Sequence, residues 1–233
     1  RAILNRANAE GVGSVATYPF GRGGFEVSKL EEATAKRYLP AAELSKLKSA
    51  TANNPQCEYA RKLFLFSYYC YGISFIDMAM LTAAHIKQME DGDYIVYKRQ
   101  KIKRQKGVKP ISIKITPAIR QLIESLQAAS PTVDDFLLPV VTRSGYTGER
   151  LYMHIRTRYS KYQKYLRLLA EELGIDFHLT SYVSRHTAAM TLQRNHIPRE
   201  VISQMLGHAD LETTNVYLDS FDNGVINEAA KVL

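Results

Sequence analysis

Apolar residues recur at helical spacing along most of the chain and at strand spacing in one stretch. The opening RAILNRANAE reads as the end of a helix that Gly11 stops. Residues 11–37, with repeated glycines and Pro19, read as a linker. A helix is predicted after Pro40 (AAELSKLKSAT). A second, over about 56–71, starts at Pro55, with Tyr59, Leu63, Phe66 and Cys70 on one face and Gly72 as its stop. SFIDMAML reads as a short helix. The period then changes to two: DYIVYKRQ and VKPISI alternate and, with HIKQM, predict a small antiparallel sheet in which Pro110 suits an edge strand. Helices follow over about 117–129, 149–173, 180–194, 198–206, 210–219 and 223–232, with Gly174 and Gly207 as stops. The predicted fold class is therefore mainly α with a small antiparallel β-sheet (α+β).

Composition narrows what such a fold does. In 233 residues, 45% are hydrophobic, enough for a substantial core. No apolar run reaches the about 18 residues of a membrane span. The chain opens inside a helical pattern, without Met or a signal-like segment, and reads as a piece of a longer protein. Cys57 and Cys70 share an apolar stretch at a spacing that suits neither zinc nor a disulfide framework, so they read as buried thiols in a reducing cytoplasm. The formal charge of +8 points to a polyanion, nucleic acid first. That charge is clustered. Lys98, Arg99, Lys101, Lys103, Arg104, Lys106 and Lys109 crowd the turn between two predicted strands. Arg143, Arg150, Arg156, Arg158, Lys161, Lys164 and Arg167 follow, interleaved with Tyr152, Tyr159, Tyr162 and Tyr165. Such donors suit phosphate oxygens; the plain alternative is a solvated face.

Four segments carry candidate chemistry: YGISFIDMAML (71–81), the basic hairpin with Lys101, HLTSYVSRHTAAMTL (178–192) and LGHADLETTNVY (206–217). Taken singly, each has an ordinary reading. Tyr217 is a packed tyrosine or a nucleophile, and His208 a helix-end cap or a phosphate ligand. Arg185 is a carboxylate partner or an anion clamp, and Lys101 a solvated charge or an acid. In this order and spacing they resemble the tyrosine recombinase (phage integrase) family, in the branch carried by conjugative transposons and other mobile elements. The resemblance to that family's catalytic domain covers 38–233. Residues 1–37 resemble the last helix of the preceding core-binding domain plus its linker.

The resemblance implies site-specific cleavage and rejoining of double-stranded DNA, for integration or excision of a mobile element, by a cytoplasmic enzyme that works as a tetramer on DNA. It implies no metal and no cofactor, because fixed cations meet the charge that builds on the phosphate. Tyr217 is then the nucleophile that forms a 3′-phosphotyrosyl link. Arg185 and His208 clamp the phosphate, and Lys101, with Lys103 as the alternative, protonates the departing 5′ oxygen. Two positions depart from the family pattern. Ser74 stands where an arginine is usual, and Tyr182 where H-x-x-R has its histidine. Arg61 and Arg99 are the two basic residues considered as replacements for the missing cation. The alternative is a catalytically weakened DNA-binding relative of the same fold. His186 reads as support for the neighbouring Arg185, Asp77 as a brace, and VINEAAKVL as a docking helix.

Overall fold

The computed structural model describes residues 2–13, 18–20, 24–25, 38–103, 105–208, 214–215 and 218. The chain divides into two compact units, Arg1–Ala35 and Lys36–Leu233. In the first, helix α1 (Ala2–Ala9) ends at Gly11, whose φ of +74° is the left-handed geometry that suits a glycine stop.

The second unit is built around α3 (Pro55–Tyr69). Its start is doubly specified: Asn54 accepts from the backbone N–H groups of Gln56 (2.8 Å) and Cys57 (3.4 Å), and Pro55 occupies the first helical position. The helix is buried on more than the one predicted face, with Leu63, Phe64, Leu65 and Phe66 all in the core. It packs against α5 (Pro117–Ala129), α6 (Gly148–Glu172) and α7 (Ser181–Arg194). A helix surrounded in this way buries apolar residues all round. Before it lies α2 (Ala41–Ser49), and after it the short α4 (Phe75–Ala79).

The sheet runs β1 (Ile86–Met89), β2 (Gly92–Tyr97), β3 (Ile111–Lys114), all antiparallel neighbours. Register pairs Ile95 with Ile113 and Tyr97 with Ile111, so the four buried side chains share one face. Pro110 falls just before β3, which is an edge strand. Helix α8 (Arg199–Leu206) closes at Gly207, φ +63°, and α6 is followed by Gly174, φ +59°. Ala189, Met190, Ile202, Leu206 and Leu218 form a second, smaller apolar cluster.

Cys57 and Cys70 are free and buried, and burial raises both thiols. Among the described residues no helix is long and apolar enough to cross a membrane. The helices expected over 210–219 and 223–232, and the docking role of VINEAAKVL, lie outside the described residues apart from Thr214, Asn215 and Leu218. Most of the linker reading for 11–37 lies outside them too.

Candidate active site

Arg185 is set by the close contact of α7 with the turn after α3. Gly72 sits there at φ +72°, and a Cβ on it would lie 2.4 Å from the Arg185 Cα. Only glycine permits both the conformation and the approach. Arg185 is 4% exposed. Its Nη1 donates to the Gly72 carbonyl at 3.1 Å, and its Nη2 to the Leu206 carbonyl at 2.5 Å and to His208 Nε2 at 2.8 Å. Leu206 ends α8, where carbonyls lack helical partners and a cation is favoured. Beyond it Gly207 donates to Gln204 O (3.0 Å) and His208 N–H to Ser203 O (3.0 Å), a closure that fixes the His208 backbone. On the other side of the ring, His208 Nδ1 lies 2.8 Å from the Oγ1 of the buried Thr214.

The hairpin is fastened to α4 by Asp77. This carboxylate, 3% exposed, accepts the Ser74 hydroxyl at 2.6 Å and the Gln100 N–H at 2.7 Å. It thereby anchors the start of the β2–β3 connection, from which Arg99 reaches across to donate to the Gly207 carbonyl at 3.2 Å. Asp77 is thus a brace between α4 and the sheet, a longer reach than within the helix pair. Ser74 is the N-cap of α4 and accepts the Asp77 N–H at 3.3 Å. Beneath these groups burial raises the Tyr97 phenol above its ordinary value, with Asp77 adding to the shift and Arg185 opposing it. Tyr97 is therefore a neutral part of the core at working pH.

These side chains surround a cleft of about 440 Å³ lined by Ser74, Arg99, Arg156, Tyr159, Tyr182 and Arg185, among others. Tyr182, 55% exposed in the first turn of α7, sets its ring 4.9 Å from that of His186. Burial, with Arg185 adding, lowers the His186 pKa to about 4. Tyr159 and Gln163 join α6 to the start of α7, through Ser181 Oγ (3.1 Å) and Ser181 N–H (2.8 Å).

The structure therefore brings together Ser74, Tyr182, Arg185 and, through Arg185, His208. Lys101 and Lys103 are exposed in the β2–β3 connection and do not line the cleft; Arg99 is the hairpin cation that does. Tyr217 lies outside the described residues. Of the two replacement cations, Arg61 is committed elsewhere. It is 8% exposed, forks onto both Glu58 oxygens at 2.7 Å and donates to the Leu47 carbonyl at 2.9 Å. Arg156 was visible in the sequence only as one charge among several; its helical offset from Tyr152 and Tyr159 was the signal that placed it on their face. Three guanidinium groups and three phenols, Tyr152 among them, around one concavity suit an anionic group whose charge grows during reaction.

A family model described as "Phage integrase family" matches residues 37–223. The chain is 41% identical over 54 residues to a protein named tyrosine recombinase XerD from Halalkalibacterium halodurans, covering 23% of this chain and 18% of that protein. The chain thus aligns with only a small part of that relative. Among solved structures, the XerA recombinase crystal structure superposes with a TM-score of 0.57 at 20% identity, over 83% of this chain and 64% of the other. The Tn1549 transposon integrase in complex with a circular intermediate DNA gives a TM-score of 0.59 at 13% identity, over 90% and 70%. At these identities the superpositions bear on the fold.

Proposed function

The chain belongs to the phage integrase family, and from that premise we propose that it is a site-specific tyrosine recombinase that breaks and rejoins double-stranded DNA. The observation that carries this reading is the convergence of Arg185, Arg99, Tyr182 and, through Arg185, His208 on one cleft. In the proposed reaction the phosphodiester binds in that cleft, and the phenol oxygen of Tyr217 attacks phosphorus. The bond from phosphorus to the 5′ oxygen breaks, and Lys101 supplies the proton that oxygen takes. The phosphotyrosyl link keeps the energy of the broken bond, so a second 5′ hydroxyl reverses the step on a new strand.

Ser74 has no cationic fork, and we assign the missing charge to Arg99. It enters the cleft from the hairpin, and Asp77 fixes the start of the β2–β3 connection that carries it. Arg156 of α6 adds a further cation to the cleft, as suits phosphate binding. We further propose that residues 1–37 hold the end of a core-binding domain plus its linker, that the enzyme acts in the cytoplasm as a tetramer on DNA, and that its DNA belongs to a mobile element. Support for the last is the likeness in fold to a transposon integrase bound to a circular intermediate DNA.

The test is a nicked suicide substrate carrying the recombination site. A covalent protein–DNA band that disappears in Tyr217→Phe is expected. Sequence-specific binding with no such band would overturn the reading in favour of a DNA-binding relative that has lost catalysis.

A further inference from the structure

The hydrogen bonds around His208 decide where its ring proton sits. Arg185 Nη2 lies 2.8 Å from His208 Nε2, and a guanidinium only donates, so Nε2 is the acceptor. A neutral imidazole whose Nε2 accepts carries its proton on Nδ1. Nδ1 lies 2.8 Å from Thr214 Oγ1, so that hydroxyl receives the N–H. Thr214 is 0% exposed, which keeps water from competing for this bond. The ring is held from both sides, while the His208 backbone is pinned to Ser203.

We propose that Thr214 is a positioning residue for the cleavage step: it holds His208 in the tautomer protonated on Nδ1, so that Nε2, once Arg185 Nη2 turns from it to the bound phosphate, takes the proton of the attacking phenol. This rests on the recombinase reading, in which Tyr217 is the nucleophile. Of the other groups named at the site, His186 is the weaker imidazole base, since burial and Arg185 lower its pKa to about 4, and the Asp77 carboxylate is engaged by Ser74 and Gln100. Arg99, Arg156 and Arg185 arrive protonated, and a phenol such as Tyr182 accepts a proton only weakly. As the bond from the Tyr217 oxygen to phosphorus forms, its proton passes to Nε2. The bond to the 5′ oxygen breaks, and that oxygen takes its proton from Lys101. For that transfer Arg185 Nη2 first turns from Nε2 to the oxygens of the bound phosphate, which frees the Nε2 lone pair. Phosphate binding thus moves the clamp from its resting partner to its working one and uncovers the base. Thr214 carried no role in the sequence reading, where it was one polar residue between His208 and Tyr217.

The ring nitrogens are followed by NMR in protein labelled with ¹⁵N-histidine, at about pH 8, where imidazoles are neutral. The His208 signals are identified by their loss in His208→Gln. The wild type and Thr214→Ser are expected to show the proton on Nδ1. Thr214→Val is expected to shift it toward Nε2 and to slow covalent-complex formation about tenfold, as loss of one net hydrogen bond predicts, while Thr214→Ser keeps most of the rate. A wild-type proton on Nε2, or an unchanged tautomer in Thr214→Val, overturns the proposal whatever the activity. No covalent complex in wild type, with the tautomer as stated, would instead remove the proton transfer together with the recombinase reading.

Discussion

Arg61 and Arg99 sit in regions of opposite character. Arg61 lies in the packed scaffold around α3, where its fork is closed by Glu58 and a backbone carbonyl. Burial pushes the Glu58 carboxyl up, but the Arg61 hydrogen bond and the Ala52 N–H outweigh it and bring the group below its ordinary value. Arg99 lies at the cleft, half-buried, and among the described residues is steadied by the Gly207 carbonyl at 3.2 Å. The first arginine has its charge matched inside the protein. The second is oriented by a neutral acceptor and keeps the rest of its fork toward the cleft. Both were equally plausible replacements from sequence position. What separates them is pairing, which only the folded chain establishes.

The contrast is broken most severely at Gly72, which belongs to both regions. Gly72→Ala forces a positive φ on alanine and drives its Cβ into Arg185, a combined loss of about 2–6 kcal/mol. Denaturant unfolding is expected to show that loss, and the suicide substrate a parallel fall in cleavage. Arg61→Ala separates the regions: it leaves Glu58 to Lys62 and the Ala52 N–H, leaves the Leu47 carbonyl without this donor, and lowers stability by about 1–3 kcal/mol. Cleavage by the fraction that remains folded should be unchanged. Arg99→Ala gives the mirror image, a fall in covalent-complex formation of about 10²–10³ with the melting temperature nearly unchanged.

Smaller effects sharpen the comparison. The folded-state pKa of His186 is about 4, below the about 6.5 of an exposed histidine, so the unfolded chain takes up this proton first. Its contribution to stability is complete above about pH 6.5 and is lost as the pH falls toward about 4. In His186→Gln, denaturant titrations across that window should show a flatter dependence. Smallest is Ser74→Ala. The side chain caps α4, so about 1 kcal/mol of stability should go, with the cleavage rate changed far less than in Arg99→Ala. A larger catalytic loss would mean that Ser74 touches the phosphate.

Much of this was legible in the sequence because local rules govern it. Pro55, Gly174 and Gly207 mark helix ends by their fixed and left-handed geometry, and the alternation in DYIVY and ISI reports the buried sheet face. Arg185 and His208 were legible as a pair only through the family's spacing. Three features were not legible, each for the same reason. The reach of Asp77 to Gln100, the choice of Arg99 over Arg61 at the cleft, and the Thr214 bond to His208 depend on where one element meets another. No periodicity within a single element encodes them.

The central claim is that Arg99 supplies positive charge to the scissile phosphate. Its most direct test compares wild type and Arg99→Ala on two suicide substrates, one ordinary and one whose scissile phosphate is a neutral methylphosphonate. If Arg99 neutralises that phosphate, the variant's deficit of about 10²–10³ on the ordinary substrate collapses to less than about tenfold on the neutral one. The same deficit on both substrates would contradict the account.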